Sequence, residues 1–292
     1  MKKIFITGGG GFIGKNIIEQ LNGKYQFLAP THKELDILNS VAVGEFLEKE
    51  RPEIILHTAN VGGKRNDPNQ ANTLKNNLLM FFNLCSNKKF FDRLIFLGSG
   101  AEYDKSKEIH LIKESQFGEF IPSDEYGLSK FVIANLAKET NYITHLRLFG
   151  VFGPHEDYSL RFISNAICKA LLDLPITMKQ DVLFNYLYVK DLARIIEEVI
   201  DRKPSETFMN IGSGQPVKIS EIAGRINSLL GKDLPITTAL PGFNKEYTCA
   251  TDRFNEYLPN FKYTDLDSAI KEMIGYYQNI LSTLDINKLK YE

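Results

Sequence analysis

Residues 1–16, MKKIFITGGGGFIGKN, place four consecutive glycines between a short apolar run and a pattern typical of a helix. Glycine loses more conformational freedom on folding than any other residue, so a run of four needs a structural reason. Gly8, Gly11 and Gly14 have the spacing GxxGxxG, and Gly9 with the last two also satisfies GxGxxG. After a strand and at the start of a helix, either spacing brings bare amides close to a pyrophosphate. The stretch therefore predicts a dinucleotide-binding turn.

The first half of the chain repeats this strand-then-helix arrangement. Short apolar runs that read as buried strands occupy residues 3–7, 26–29, 53–59, 93–98 and 144–150. Helical patterns separate these runs, and one of them has Ser40 as its expected N-cap and Pro52 as its stop. The alternation predicts an α/β fold with a doubly wound parallel sheet, the Rossmann arrangement.

The pattern weakens after Gly153, where helical segments joined by loops predict a smaller, mostly helical C-terminal lobe. We expect residues 1–152 to form the dinucleotide-binding domain, with residues 185–205 returning to it. Residues 153–184 and 206–292 are expected to form a substrate-binding lobe.

Composition excludes several classes of protein. The 292 residues carry a net charge of -1, so no basic surplus points to nucleic acid. No uninterrupted apolar run reaches about 18 residues, the minimum for a membrane span. The three cysteines have neither CxxC nor metal-ligand spacing, which favours reduced thiols in the cytoplasm and no metal site.

Three polar residues have the spacing and placement of a proton-transfer site. Tyr126 and Lys130, in YGLSK, lie at i and i+4 on one face of a helix. An ammonium group beside a phenol lowers its pKa from about 10, which would make Tyr126 a better proton donor. Ser99 directly follows the fourth apolar run, at the sheet edge where ligands bind. Taken singly, each residue also suits a structural role, as a turn former, a packed aromatic or a surface charge.

The residues at the end of the second strand indicate whether the adenosine ribose of the cofactor carries a 2'-phosphate, as in NADP, or a free hydroxyl, as in NAD. NAD-binding proteins of this fold carry an acidic residue about 20 residues after the glycines. Here Thr31, His32 and Lys33 occupy that region, and Asp36 follows as a candidate for contacting adenine. The missing carboxylate and the nearby cation favour NADP, with NAD as the alternative.

Several motifs together resemble the extended short-chain dehydrogenase/reductases of the NAD-dependent epimerase/dehydratase type, which modify nucleotide-linked sugars. They are TGGGGFIG, LGSGAEY, YGLSK, RLFGVFGP, YVKDLA and NIGSGQPVKISEIA. The resemblance is nearest to GDP-fucose synthase-like enzymes and nucleotide-sugar 4-ketoreductases. It implies a nucleotide-sugar substrate, a homodimer and a catalytic triad of Ser99, Tyr126 and Lys130. The cofactor would be bound by Gly8, Gly11, Phe12, Ile13, Gly14, Thr31, His32, Asp36, Ile37, Thr58, Ala59, Asn77 and Lys130.

Departures from the family pattern narrow the reaction. Gly100 and Ala101 stand where sugar 4,6-dehydratases carry an acidic pair, so dehydration is not expected. Ala101 and Arg161 also stand at or near the places of the fucose synthase cysteine and histidine, which argues against epimerisation before reduction. The expected reaction is NAD(P)H-dependent reduction of a 4-keto group on a nucleotide-linked deoxysugar. The alternatives are a 4-epimerase with tightly bound NAD and a non-catalytic NAD(P)-sensing protein.

The second lobe offers candidate substrate contacts. Arg161, Lys169 and Arg253 could bind the diphosphate of the substrate, or could be ordinary surface charges. His155 could contact the substrate, or could be a loop histidine that makes local hydrogen bonds. Glu102 is expected to be a loop carboxylate, because nothing in the sequence pairs with it.

Overall fold

The structure, a computed structural model, describes residues 1–63 and 70–289. The strands are β1 (Lys3–Thr7), β2 (Gln26–Leu28), β3 (Ile54–His57), β4 (Arg93–Ser99), β5 (Ile109–Ile112), β6 (Ile143–Leu148), β7 (Val151–Phe152), β8 (Ile176–Met178), β9 (Leu183–Asn185), β10 (Leu187–Tyr188), β11 (Phe208–Ile211), β12 (Pro216–Lys218), β13 (Ile236–Thr238) and β14 (Tyr247–Cys249). The helices are α1 (Phe12–Gln20), α2 (Ser40–Glu50), α3 (Thr73–Cys85), α4 (Glu125–Lys138), α5 (Phe162–Leu171), α6 (Val189–Asp201), α7 (Ile219–Leu230), α8 (Asp252–Tyr257) and α9 (Leu266–Ile280).

A six-stranded parallel sheet forms the centre of the molecule, in the order β11-β6-β4-β3-β1-β2. The five strands predicted from the sequence are all in it, which confirms the α/β doubly wound fold. The chain reverses its direction of winding between β1 and β3, and ligands bind at such a switch point in open α/β sheets. The carboxyl ends of β1, β3 and β4 therefore define the edge to examine for a site.

Helices cover both faces of this sheet because its strands are apolar on both sides. Ile4 and Ile6 of β1 face α1 and α6, whereas Phe5 between them packs with residues of α2 and α3. This alternation follows from the two-residue period of a strand. Among the helices in residues 1–63 and 70–289, none combines the length and apolarity that a membrane span requires.

The start of α2 differs from the prediction by one residue. Asn39 is the N-cap, and its side chain accepts hydrogen bonds from the amides of Val41 and Ala42, both at 3.1 Å. Asparagine and serine cap helices about equally well, so the sequence alone does not decide between neighbours of these two types.

Three other helices, α5, α7 and α9, form a second body of structure with several short strands. Its apolar core joins α5, α7 and α9. Four short strands also form a second sheet, β12-β9-β14-β5, which the sequence pattern does not indicate because strands of three or four residues show little periodicity. β11, which the sequence analysis assigns to the substrate lobe, pairs in parallel with β6 in the central sheet. The proposed division into two lobes stays a prediction.

Candidate active site

The glycine turn follows β1 and is shaped so that side chains do not fit. Gly8 has φ +69°, and a Cβ on it would lie 2.9 Å from the backbone of Ala59. A Cβ on Gly14 would lie 2.4 Å from the carbonyl oxygen of Gly8. Gly11 is the N-cap of α1, and no side chain caps this helix. The turn therefore leaves bare amides at a helix N-terminus, an arrangement that suits the diphosphate of a dinucleotide.

A cleft of about 370 Å³ lies beside this turn, at the carboxyl ends of the central strands. Thr58, after β3, lines it, and its hydroxyl donates a 2.7 Å hydrogen bond to the carbonyl oxygen of Thr7. Seven of the residues predicted from the sequence line this cleft: Phe12, Ile13, Thr58, Ser99, Tyr126, Lys130 and Arg161. The central sheet and the second body of structure thus both contribute to one site.

The serine, tyrosine and lysine of the predicted triad meet in the cleft. Asp124 caps α4 by accepting a 2.9 Å hydrogen bond from the amide of Gly127, and this helix carries both Tyr126 and Lys130. The Lys130 ammonium donates to the carbonyl oxygen of Leu97 at 3.1 Å and lies 5.9 Å from the centre of the Tyr126 ring. Ser99, at the end of β4, lines the same cleft as Tyr126 and Lys130.

Burial sets the protonation of these groups. It lowers the pKa of Lys130 to about 8, partly opposed by the negative charge of Glu102. It raises the pKa of Tyr126, and the Ser99 hydroxyl and the charge of Arg161 only partly offset this rise. The expected lowering of the tyrosine pKa is therefore wrong for the protein alone, since desolvation outweighs the neighbouring cations. At neutral pH Tyr126 is a protonated phenol, which is the form that donates a proton.

Glu102 is not a loop carboxylate but the centre of a buried ionic cluster. It is fully buried, and it contacts Nε2 of His145 at 3.0 Å and Nε of Arg147 at 2.7 Å. Its Oε1 also accepts a 3.0 Å hydrogen bond from the amide of Ser99. The carboxylate therefore anchors the backbone of Ser99. Both basic partners lie on β6, far from Glu102 in sequence, so sequence spacing gives no sign of the pairing.

Four cations line the outer part of the cleft, and we call them the cationic mouth: Lys105, Lys107, Arg161 and Lys245. All four are exposed, and within residues 1–63 and 70–289 none of them forms an ion pair with a carboxylate. The Lys105 ammonium lies 5.6 Å from the centre of the Tyr126 ring, and that of Lys245 donates to the carbonyl oxygen of Ser106. Sequence reasoning found only Arg161. The charge run KSK after LGSGAEY is the signal that could have indicated the other two residues on that loop.

The predicted adenosine contacts lie in the loop after β2. Glu34 accepts hydrogen bonds from the amide and hydroxyl of Thr31, at 2.7 and 2.9 Å. Nδ1 of His32 lies 3.7 Å from the carboxylate of Asp36, and Ile37 packs against the core under α2 and α3. None of the four predicted residues lines the cleft beside the triad.

Asn77 and Ala59 support the turn next to the site. Asn77 is buried, and its side chain bonds to the amide and carbonyl of Val61 at 2.8 and 3.0 Å and to the Ser129 hydroxyl at 3.0 Å. The side-chain oxygen and nitrogen of Asn77 therefore both form hydrogen bonds within the protein. The backbone amide of Ala59 donates a 3.3 Å hydrogen bond to the Thr7 hydroxyl.

Three of the four predicted substrate contacts lie away from the cleft. His155 contacts Glu19 at 3.1 Å and Tyr276 at 3.1 Å, and Lys169 is buried with its ammonium 2.7 Å from the Thr177 hydroxyl. Arg253 pairs with Glu206 at 3.2 Å. Each side chain already has a partner in the protein, which leaves Arg161 as the predicted cation that lines the cleft.

Tyr247 is a site residue that sequence reasoning missed. It comes from β14 and lines the cleft, and its phenol lies beside Gly100, where a Cβ would be 2.4 Å from the Tyr247 oxygen. No motif marks it, because its position depends on a short strand that pairs with β5 and β9.

Comparisons with known proteins agree with this geometry. A GDP-L-colitose synthase from Yersinia pseudotuberculosis is 29% identical over 256 residues, which are 78% of this chain and 82% of that protein. The GDP-L-fucose synthase of Escherichia coli is 25% identical over 79% of this chain and 82% of its own length. Among solved structures, a GDP-mannoheptose C4 reductase from Campylobacter jejuni with NADP bound has a TM-score of 0.80 at 21% identity, covering 95% of this chain and 98% of that chain.

A family model also matches residues 4–212, which include the glycine turn, the triad and the cleft edge of the central sheet. The match spans well over half of the chain and confirms the family predicted from the sequence. The fold, the site and this match lead to one conclusion: the chain belongs to the NAD dependent epimerase/dehydratase family.

Proposed function

We propose that this protein uses NADPH to reduce the 4-keto group of a GDP-linked deoxysugar to a hydroxyl group. The observation that carries the proposal is the meeting of Ser99, Tyr126 and Lys130 in a cleft beside the glycine turn. The curated relatives named for GDP-colitose and GDP-fucose synthesis support the substrate class.

The residues of the triad divide the work of the reduction. When bound, the reduced nicotinamide would supply a hydride to the keto carbon. Tyr126 donates its phenolic proton to the oxygen, so that the carbonyl becomes an alcohol, and a proton from solvent restores the phenol. The Ser99 hydroxyl stabilises the negative charge that develops on that oxygen. Lys130 favours loss of the phenolic proton through its positive charge.

The cationic mouth supports a substrate with a diphosphate. Exposed cations without carboxylate partners bind phosphate oxygens through charge-assisted hydrogen bonds. Lys107 and Lys245 lie on separate loops that both border the cleft, and Lys245 donates to the carbonyl oxygen of Ser106, the residue before Lys107. The diphosphate of the dinucleotide would bind at the glycine turn instead. The cofactor and the substrate would therefore place their diphosphates at different parts of the site.

The proposed cofactor is NADP, with Lys33 and His32 near the ribose phosphate. The loop after β2 also carries two carboxylates, that of Glu34, which accepts hydrogen bonds from Thr31, and that of Asp36, which lies 3.7 Å from His32. A 2'-phosphate would have to approach beside these carboxylates, whereas the ribose of NAD would not meet this repulsion. Comparing NADPH with NADH as the reductant tests this part of the proposal. A homodimer remains part of the proposal through the family resemblance.

The experiment is turnover of GDP-linked 4-keto-6-deoxyhexoses, followed by nicotinamide absorbance, with Tyr126→Phe as the test variant. General acid catalysis contributes roughly 10²- to 10⁴-fold, so the variant should lose that much turnover while still binding NADPH. Tyr257→Phe is the matched control, since its phenol bonds to the carbonyl of Glu198 on the surface. Unchanged turnover in Tyr126→Phe would refute the assignment.

The same assay separates the alternatives. Stoichiometric release of oxidised cofactor supports the reductase, whereas interconversion of sugar epimers without net oxidation indicates the 4-epimerase. Binding of NADPH without turnover on any GDP-, UDP-, CDP- or dTDP-linked 4-keto sugar would indicate the sensing protein.

A further inference from the structure

Two ammonium groups lie beside the ring of Tyr126. That of Lys130, on α4, is 5.9 Å from the ring centre, and that of Lys105, on the loop after β4, is 5.6 Å from it. A cation interacts measurably with an aromatic ring within about 6 Å of its centre. All three residues line the cleft, and the proposed mechanism uses only one of the two cations.

The turn that carries Lys105 is held by a set of hydrogen bonds. Asp104 is buried, and its carboxylate accepts from the amide and the hydroxyl of Ser106 at 3.0 and 2.8 Å. Its carbonyl oxygen accepts from the amide of Lys107 at 3.0 Å. Asp104 has φ +65°, which disfavours most residues other than glycine, so the surrounding structure maintains this turn. The backbone therefore presents Lys105 at a defined place, although its side chain is exposed.

The two lysines of this turn have different aromatic neighbours. The Lys107 ammonium lies 5.5 Å from the centre of the Phe120 ring, whereas that of Lys105 lies beside Tyr126. Both are exposed, and in the described part of the chain neither forms an ion pair with a carboxylate. Lys107 thus resembles Lys105 in charge, exposure and turn, and differs from it in its distance from the proton donor.

A cation beside Tyr126 matters at the moment when the phenol loses its proton. The phenol then becomes a phenolate, whose charge a neighbouring cation stabilises. Burial works in the opposite direction, because it raises the pKa of Tyr126. Burial also lowers the pKa of Lys130 to about 8, so close to this pH part of its charge is lost. An exposed ammonium has little desolvation to overcome, and it adds to the same stabilisation.

We infer that Lys105 is a positioning residue that acts through Tyr126, because its charge stabilises the phenolate that forms when the proton leaves. This role rests on the proposed function, since it assumes that Tyr126 donates a proton to the substrate. As a member of the cationic mouth, Lys105 should also contribute to binding. The effect that distinguishes it from the other members is therefore an effect on kcat.

The kinetic test compares Lys105→Met with Lys107→Met. Methionine keeps an unbranched stem and removes the charge. We expect Lys105→Met to lower kcat for reduction of a GDP-linked 4-keto-6-deoxyhexose about threefold, the effect of a cation beside an aromatic ring at an exposed site. The rate of NADPH oxidation in a single turnover should fall by the same factor. Lys107→Met should raise KM without changing kcat, and Lys105→Arg, which keeps the charge, should retain kcat.

Ionisation of the phenol measures the same effect without a substrate. With Tyr126 replaced by fluorotyrosine, fluorine NMR follows the ionisation of this one phenol against pH. Lys105→Met should raise the midpoint by about 0.5 pH unit, which corresponds to a threefold change in the ionisation constant. The other charged groups that act on the phenol are the same in both proteins and cancel in the comparison; they are Lys130, Arg161, Glu102 and Asp124.

Three results would overturn this role for Lys105. The first is an unchanged kcat in Lys105→Met, and the second is an ionisation midpoint that does not move. The third is an equal loss of rate on adding Lys105→Met to Tyr126→Phe, which would show that Lys105 acts without the phenol. Lys138→Met is the control for overall charge, because Lys138 is exposed at the end of α4 and does not line the cleft. Failure of the proposed function is seen separately, as absence of turnover in the unmodified protein, and leaves the ionisation measurement valid.

Discussion

Two groups of charged residues meet near the end of β4, and they differ in how their charges are compensated. The buried cluster of Glu102, His145 and Arg147 is withdrawn from solvent, and the carboxylate contacts both basic partners. The cationic mouth is exposed, and within the described residues its members have no carboxylate partners. The two groups belong to one site, with the first below Ser99 and the second around the cleft.

This difference separates charges that maintain the fold from charges that await a ligand. Burying a charge without a partner costs roughly several kcal/mol of folding free energy. The buried Glu102 carboxylate therefore requires the basic partners that it has. An exposed lysine has little desolvation cost and remains available to an anion. We therefore expect substitutions in the buried cluster to change stability, and substitutions in the cationic mouth to change substrate binding.

The largest expected effect is on stability, from Glu102→Gln. The variant keeps the shape of the side chain but leaves Arg147 buried without its counter-charge, and breaking a buried pair costs about 3–5 kcal/mol. The free energy of unfolding, from urea denaturation, measures this loss. Glu119→Gln, at an exposed position, should stay within about 0.5 kcal/mol. Equal stability of the two variants would contradict the structural role of the cluster.

The pH dependence of stability adds a second measurement on the same residue. Burial alone would raise the pKa of Glu102, but His145 and Arg147 outweigh it and bring this pKa to about 2. A carboxyl with a depressed folded pKa stabilises the protein above its unfolded pKa, and this stability is lost as the pH falls toward 2. In Glu102→Gln, this part of the decrease in unfolding free energy with falling pH should be absent.

The sequence predicts the part of the site that depends on local spacing. The glycine turn, the i and i+4 pair on α4 and the serine at the end of β4 each lie in one short stretch, so their placement follows from the fold class. Glu102 was misjudged because its partners lie on β6, and Tyr247 was missed because a three-residue strand positions it. Contacts between distant segments leave no periodic signal in a single sequence.

A smaller effect, on binding, is expected from the cationic mouth. Lys107→Gln and Lys245→Gln should each raise the KM for the sugar nucleotide about tenfold, because each removes a charge-assisted contact to phosphate. The KM for NADPH and the unfolding free energy should not change. The effect should diminish at high ionic strength, which screens exposed charges.

Lys138→Gln serves as the matched control for these substitutions, since Lys138 is exposed at the end of α4 and does not line the cleft. An equal rise in KM in this variant would attribute the effect to overall charge. A fall in kcat without a change in KM would place the two lysines in the chemical step.

The triad predicts an alkaline limit to activity. The pKa of Lys130 is lowered to about 8, mainly by burial, so its ammonium is lost as the pH rises through this value. Reduction needs that charge, and kcat/KM should therefore fall about tenfold per pH unit above pH 8. A profile of kcat/KM against pH, with saturating NADPH, measures this alkaline decrease. Activity that stays constant up to pH 10 would contradict the requirement for a charged Lys130.

The smallest effect is expected where an ion pair is neither buried nor near the cleft. Arg225 and Asp267 join α7 and α9 at 2.8 Å, with side chains 44% and 41% exposed. Solvent and salt screen such a pair, so Arg225→Gln should change the free energy of unfolding by less than about 1 kcal/mol and leave KM unaltered. Urea denaturation of Arg225→Gln and Glu102→Gln under the same conditions compares their unfolding free energies directly. A loss as large as that of Glu102→Gln would mean that pairing alone, and not burial, determines how much a charge contributes to this fold.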